Sequence, residues 1–173
     1  MWDLLLNFQH TDFSTWLREG DFVSPFSVYY TMLGFHSIGM AAVVGICWML
    51  SFRIFGYFED VSLPKANDLM VIAWWGFYIN LASGIVLLMA QPLRELLTPT
   101  FDIKMIMIVF GVIGIRNIQQ SLNKIEVATL ADGSTAEVIP AGVRVMALWT
   151  SFAWLAAIIA GRLIGYVQPP PIH

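Results

Sequence analysis

Apolar residues concentrate in four long stretches of the 173-residue chain, at about 28–52, 69–90, 103–119 and 143–167. A helix crossing a bilayer needs about 20 mostly apolar residues. All four stretches qualify as spans. The third is the shortest and carries Lys104 and Arg116 at its ends. Ahead of them, Trp2, Leu5, Leu6, Gln9, Phe13, Trp16 and Leu17 recur at helical spacing, all but Gln9 apolar. This pattern predicts an amphipathic helix over about 2–18, lying in a membrane interface. His10 falls in that piece as a solvated side chain, and Asp21 to Pro25 separates it from the first span.

Between the third and fourth stretches the period changes. Ile125 to Leu130 alternates weakly, Asp132-Gly133 offers a turn, and Thr135 to Ile139 alternates again before Pro140. That is the pattern of a small hairpin. Pro169-Pro170-Pro171 reads as a short extended stub. The elements add up to one all-α integral membrane four-helix bundle, residues 1–173, with an interfacial N-terminal helix and a hairpin-like inner loop.

Composition excludes the main alternative. The chain is 58% hydrophobic and only 12% charged, against about 25% charged in soluble domains. A soluble protein burying four such helices would lack the polar surface to cover them. The net charge of −3 gives no basic footprint for nucleic acid. A single cysteine, Cys47, excludes an internal disulfide and a cysteine metal cage. Met1-Trp2-Asp3 lacks the basic start of a secretory signal, and the apolar run after it is short.

Orientation follows the basic residues of short loops. The first and third loops carry Arg53, Lys65, Arg116, Lys124 and Arg144, whereas the N-terminal segment and second loop carry Arg18 and Arg94. Both termini are therefore expected outside, on the periplasmic face of a bacterial inner (cytoplasmic) membrane. Trp48, Trp74, Trp75 and Trp149 fall near inner span ends, and Trp2, Trp16, Tyr29, Tyr30 and Tyr166 near outer ones, as interfacial aromatics do.

Ala153, Ala157, Gly161 and Gly165 repeat every four residues along the fourth span. Such a face lets another backbone approach closely. It suits packing within the bundle, or an interface with partner subunits of a homo-oligomer or larger membrane complex. Gly111 with Gly114, and Ser83 with Gly84, give smaller patches.

Several segments together resemble a family of bacterial four-helix inner-membrane proteins without an established activity. They are Ser14 to Gly20, Tyr29-Tyr30, His36-Ser37-Ile38-Gly39, Leu63-Pro64, Phe101 to Lys104, Asn117, and Trp154 followed by Gly161-Arg162. The family ends its first span with Asp-Leu-Arg-Leu-Leu-Gly. Here Ser51 to Gly56 takes that place without the acidic residue. Members often carry a second histidine just past the asparagine of the third span, where this chain has Gln119, Gln120 and Ser121. The resemblance implies architecture and an inner-membrane location rather than an activity.

Of three histidines, His10, His36 and His173, only His36 lies within a span. It sits about 12 Å below the outer end at 1.5 Å per residue. An ionisable group at that depth is a functional candidate by default. One reading is a neutral ring hydrogen-bonded to Asn80 or Ser83, which fall at the same depth on the second span. The other is an axial ligand of haem b, with Met107 opposite and with Arg162 and Lys104 meeting the propionates. Methionine also fills irregular apolar gaps. Arg162 equally suits snorkelling to the interface or pairing with Glu95 or Asp102. Phosphate-binding loops, serine nucleophile elbows and acidic residues within span interiors are missing from the sequence. This argues against an enzyme or a carboxylate-driven transporter. The sequence thus favours a non-catalytic membrane subunit, with a haem-binding electron carrier as the alternative. The orientation makes a direct prediction: a topology reporter fused after His173 behaves as periplasmic, and cytoplasmic behaviour would reverse the assignment.

Overall fold

A computed structural model of the chain describes residues 2–23, 26–58, 60–124, 127–129, 135–137 and 139–166. Short helices α1 (Trp2–Gln9) and α2 (Asp12–Glu19) precede a two-stranded ladder of β1 (Asp21–Val23) and β2 (Phe26–Ser27). The long helix α3 (Val28–Ile54) leads through α4 (Leu63–Asp68) to α5 (Met70–Ala90). Then follow α6 (Pro92–Leu96), α7 (Pro99–Leu122), strands β3 (Val127–Thr129) and β4 (Thr135–Glu137), and α8 (Ala141–Ile164).

Among the described residues, three helices are long and apolar enough to cross a membrane: α3, α5 and α8. They support a helical membrane protein. The remaining long helix, α7, has 24 residues but is the least apolar of the four. It also extends further than the apolar run predicts. Pro99 occupies its first turn, where a missing N–H costs nothing. Its C-terminal turns, Gln119 to Leu122, are helical although mostly polar, and Ile118 and Leu122 bury their side chains.

The expected single N-terminal helix is two. Thr11 breaks it by capping α2, its hydroxyl accepting from Ser14 N at 3.3 Å. Leu17 is buried, whereas Phe13 and Trp16 are exposed. The loop hairpin pairs antiparallel with Val127 opposite Glu137 and Thr129 opposite Thr135. Its expected Asp132-Gly133 turn, and the proline stub at 169–171, lie outside the described residues.

The long helices pack in a defined order. Helix α5 lies along α3, α7 along α8, and α3 against α8, while α5 and α7 do not pack closely. Val43, Cys47, Leu50, Ile54, Met70, Ile118 and Ala147 form the inner part of the core. Polar bonds cross it. Ser151 donates to Ser51 Oγ at 2.9 Å, joining α8 to α3. Trp74 Nε1 donates to Gln119 Oε1 at 2.9 Å, joining α5 to α7 where their backbones stay apart.

The short helices close two helix ends. The last carbonyls of a helix have no intrahelical partner, and cationic donors suit the negative end of its dipole. Ser14 Oγ donates to Met89 O at 3.0 Å, and Arg18 Nη1 to Ala90 O at 3.3 Å, so α2 caps α5. Arg94 Nη2 donates to Gly165 O at 2.8 Å, so α6 caps α8.

Candidate functional site

The site begins with two glycines. A Cβ on Gly39 of α3 would fall 2.6 Å from Gly76 O and 2.8 Å from Asn80 N of α5. A Cβ on Gly76 would fall 2.7 Å from that of Ala42. The two backbones therefore touch, as small residues permit between membrane helices. One turn further along the seam, this closeness brings His36 onto Asn80. Asn80 Nδ2 donates to His36 O at 2.7 Å, and His36 Nδ1 lies 3.0 Å from Asn80 O. Each residue thus uses its side chain on the other's backbone.

The partners assign the tautomer of the neutral ring. A carbonyl oxygen only accepts, so Nδ1 carries the hydrogen that Asn80 O receives. Ser83 Oγ, 3.3 Å from Nδ1, has its own carbonyl acceptor in Ile79 O at 2.6 Å. Nε2 makes no hydrogen bond among the described residues. The ring rests over Gly84, where a Cβ would meet Cε1 at 3.1 Å. His36 is 9% exposed. Sequence depth alone paired it with Asn80 or Ser83, and the structure joins it to both.

A second polar cluster lies where the four long helices meet. A small cavity of about 10 Å³ is lined by residues of all four, among them Asn80, Lys104, Trp154 and Ala157. Lys104 stretches across α8, its Cδ and Cε each 3.5 Å from a Cβ placed on Gly161. Its ammonium makes no ion pair or hydrogen bond among the described residues, where Arg18–Glu19 is the one ion pair. Glu95 on α6 feels its charge at longer range. Burial pushes the Glu95 carboxyl up, and Lys104 and Arg94 pull it back only in part. Trp154 is buried, and its Nε1 has no hydrogen-bond partner.

The expected haem set is dispersed. Met107 lines a groove on the outside of α7 and α8, with Phe110, Gly114, Trp149, Thr150 and Ala153. His36 is wedged in the α3–α5 seam instead, so the two sit on different seams. Arg162 is exposed, with its guanidinium 5.7 Å from the ring centre of Tyr166. It makes no ion pair with Glu95 or Asp102 among the described residues. Lys104 and Arg162 therefore diverge, one inward and one outward.

The small-residue stripe of α8 is engaged by the chain itself. Ala153 and Ala157 are buried, Gly161 underlies Lys104, and Gly165 O receives Arg94. The sequence reading passed over the Gly39–Gly76 contact and the unpaired indole of Trp154. The spacing Gly76, Asn80, Ser83, Gly84 was the available signal for the first. No family model matches the chain, and no curated protein or solved structure is measurably similar to it.

The His36–Asn80 exchange is testable by isosteres. His36→Leu removes the ring bond and costs about 1 kcal/mol, read by thermal unfolding in detergent. His36→Gln keeps a donor for Asn80 O and loses less. Equal stability of the two variants would show that the bond contributes nothing.

Proposed function

We propose that the chain is a four-span, non-catalytic subunit of a bacterial inner-membrane assembly, either a homo-oligomer or a larger complex, with both termini outside. The fourth span is α7. At 24 residues it is about 36 Å long, enough for a hydrocarbon core of about 30 Å. It lies along the membrane-length helix α8. Its outward face, from Ile103 through Ile106, Val109 and Phe110 to Ile113, is apolar and exposed, while Lys104 turns inward over Gly161. Lipid can meet that face without meeting a charge.

The observation that carries the subunit reading is the α7–α8 groove. It holds about 440 Å³ and is open along one side. Gly114, Thr150 and Ala153 are small and line it together with the larger Phe110, Trp149 and Phe152. A groove of small residues between bulky ones suits a transmembrane helix of another subunit, because close backbone approach is what holds such helices together. Of the four small residues read as an interface from sequence, Ala153 is the one that lines this groove.

A second reading has one specific support. His36 presents Nε2 with its other nitrogen tied to a backbone carbonyl, the arrangement that orients metal-ligating histidines. Haem b bound there would supply one-electron transfer. His36 would hold that group without Met107, whose groove lies on the other helix pair.

Two measurements on protein purified in mild detergent decide between these readings. Ile113→Trp obstructs the groove from its exposed rim and lowers the assembled fraction seen by light scattering, while thermal unfolding of the dissociated chain changes little. The reduced-minus-oxidised spectrum of the wild type is flat. Unchanged assembly removes the groove as an interface, and a haem band lost in His36→Gln establishes the second reading.

A further inference from the structure

The groove outside α7 and α8 is built in levels. A Cβ on Gly114 would run into Thr150, and one on Gly111 would fall 2.8 Å from the Trp154 ring. These contacts fix the register of the two antiparallel helices, with Gly114 opposite Thr150. Ile113 and Phe152 then stand at nearly the same depth as exposed ridges. Beside them in the groove are the small residues Gly114 and Ala153. Each level thus offers both a ridge and a hollow.

One turn along α7 from Ile113, on the same face, Asn117 also lines the groove. It is exposed, and its side-chain amide makes no hydrogen bond among the described residues. The lining's hydroxyl is already satisfied, since Thr150 Oγ1 donates to Met146 O at 2.7 Å. An amide left unpaired against hydrocarbon is costly. A lipid chain lying in the groove brings neither donor nor acceptor. An amide carries both, so the same residue of a second copy answers it.

Two copies inserted in one membrane with one orientation are related by an axis along the bilayer normal. Each level therefore meets its own level, and a two-fold contact must be self-complementary. This groove meets that condition. Ridges at Ile113 and Phe152 face hollows at Gly114 and Ala153 of equal depth, where backbones can approach, and Asn117 faces Asn117. We infer that the occupant of the groove is a second copy of this chain, packed about such a two-fold axis, with the two Asn117 amides exchanging hydrogen bonds across it. The inference rests on the subunit reading above and narrows it to a parallel homodimer.

The test uses the full-length chain in its native membrane, with single cysteines and a mild oxidant. Ile113→Cys and Asn117→Cys lie beside the axis, and Ile79→Cys lies on the exposed face of α5. The wild type, whose Cys47 is buried, serves as the blank. A covalent dimer forms from Ile113→Cys or Asn117→Cys, and not from Ile79→Cys or the wild type. In detergent, Asn117→Leu weakens dimerisation about five- to tenfold, as loss of two interhelical amide bonds does. Asn117→Gln keeps an amide and retains most of the dimer. Wild-type dimerisation in Asn117→Leu overturns the amide exchange. No covalent dimer from either groove cysteine, with Ile113→Trp still dissociating the assembly, overturns the self-pair and gives the groove to a different subunit. No covalent dimer with Ile113→Trp also without effect removes the subunit reading as well and leaves the groove to lipid.

Discussion

The contact of Gly39 with Gly76 is the constraint on which the α3–α5 seam and the site built on it depend. Lipid tails are as apolar as leucine, so membrane helices associate through close packing and hydrogen bonds rather than through escape from water. Two residues without Cβ atoms let α3 and α5 meet backbone to backbone. That distance sets the next turn, where His36 and Asn80 each reach the other's main chain. Widening the seam by one methyl group would lengthen both bonds at once. The ring's tautomer, and with it the bare Nε2, is thus a consequence of two glycines three and four residues away.

The same accounting explains the extramembrane helices. Backbone polar groups without partners are expensive in and near the bilayer. Helices α5 and α8 end on the same side of the bundle, and each receives donors from a short neighbouring helix. Arg18 and Ser14 serve α5, and Arg94 serves α8. Arg18 and Arg94 are therefore committed to helix ends. Lys104 instead turns inward over Gly161.

Much of this architecture was legible in the sequence, and the misses have identifiable causes. Long apolar runs located α3, α5 and α8 to within a few residues, because hydropathy over about 20 residues is a strong signal. Helix α7 was placed but shortened, since its ends are set by Pro99 and by burial of Ile118 and Leu122 rather than by apolarity. The break at Thr11 carries a cap signature that the broader apolar stripe obscured. Depth along a helix follows from residue number, which brought His36 level with Asn80 and Ser83. The direction a side chain faces around the helix does not follow from depth. Met107 matched His36 in height yet belongs to the outer groove of α7 and α8. The α8 stripe announced close approach without saying to what, and the answer for Gly161 and Gly165 was Lys104 and Arg94 of the same chain.

The Gly39–Gly76 contact can be probed by adding one carbon atom. Gly39→Ala places a methyl group 2.6 Å from Gly76 O, whereas Gly45→Ala on the same helix meets nothing within 4 Å. The measurement is thermal unfolding of both variants, with nitrogen-15 NMR of the His36 ring alongside. The account predicts a loss of about 1–3 kcal/mol for Gly39→Ala, together with a shifted Nδ1 resonance. Gly45→Ala gains slightly or stays neutral. Equal stability of the two variants, with the His36 signals unmoved, would contradict the claim that this backbone contact holds the site together.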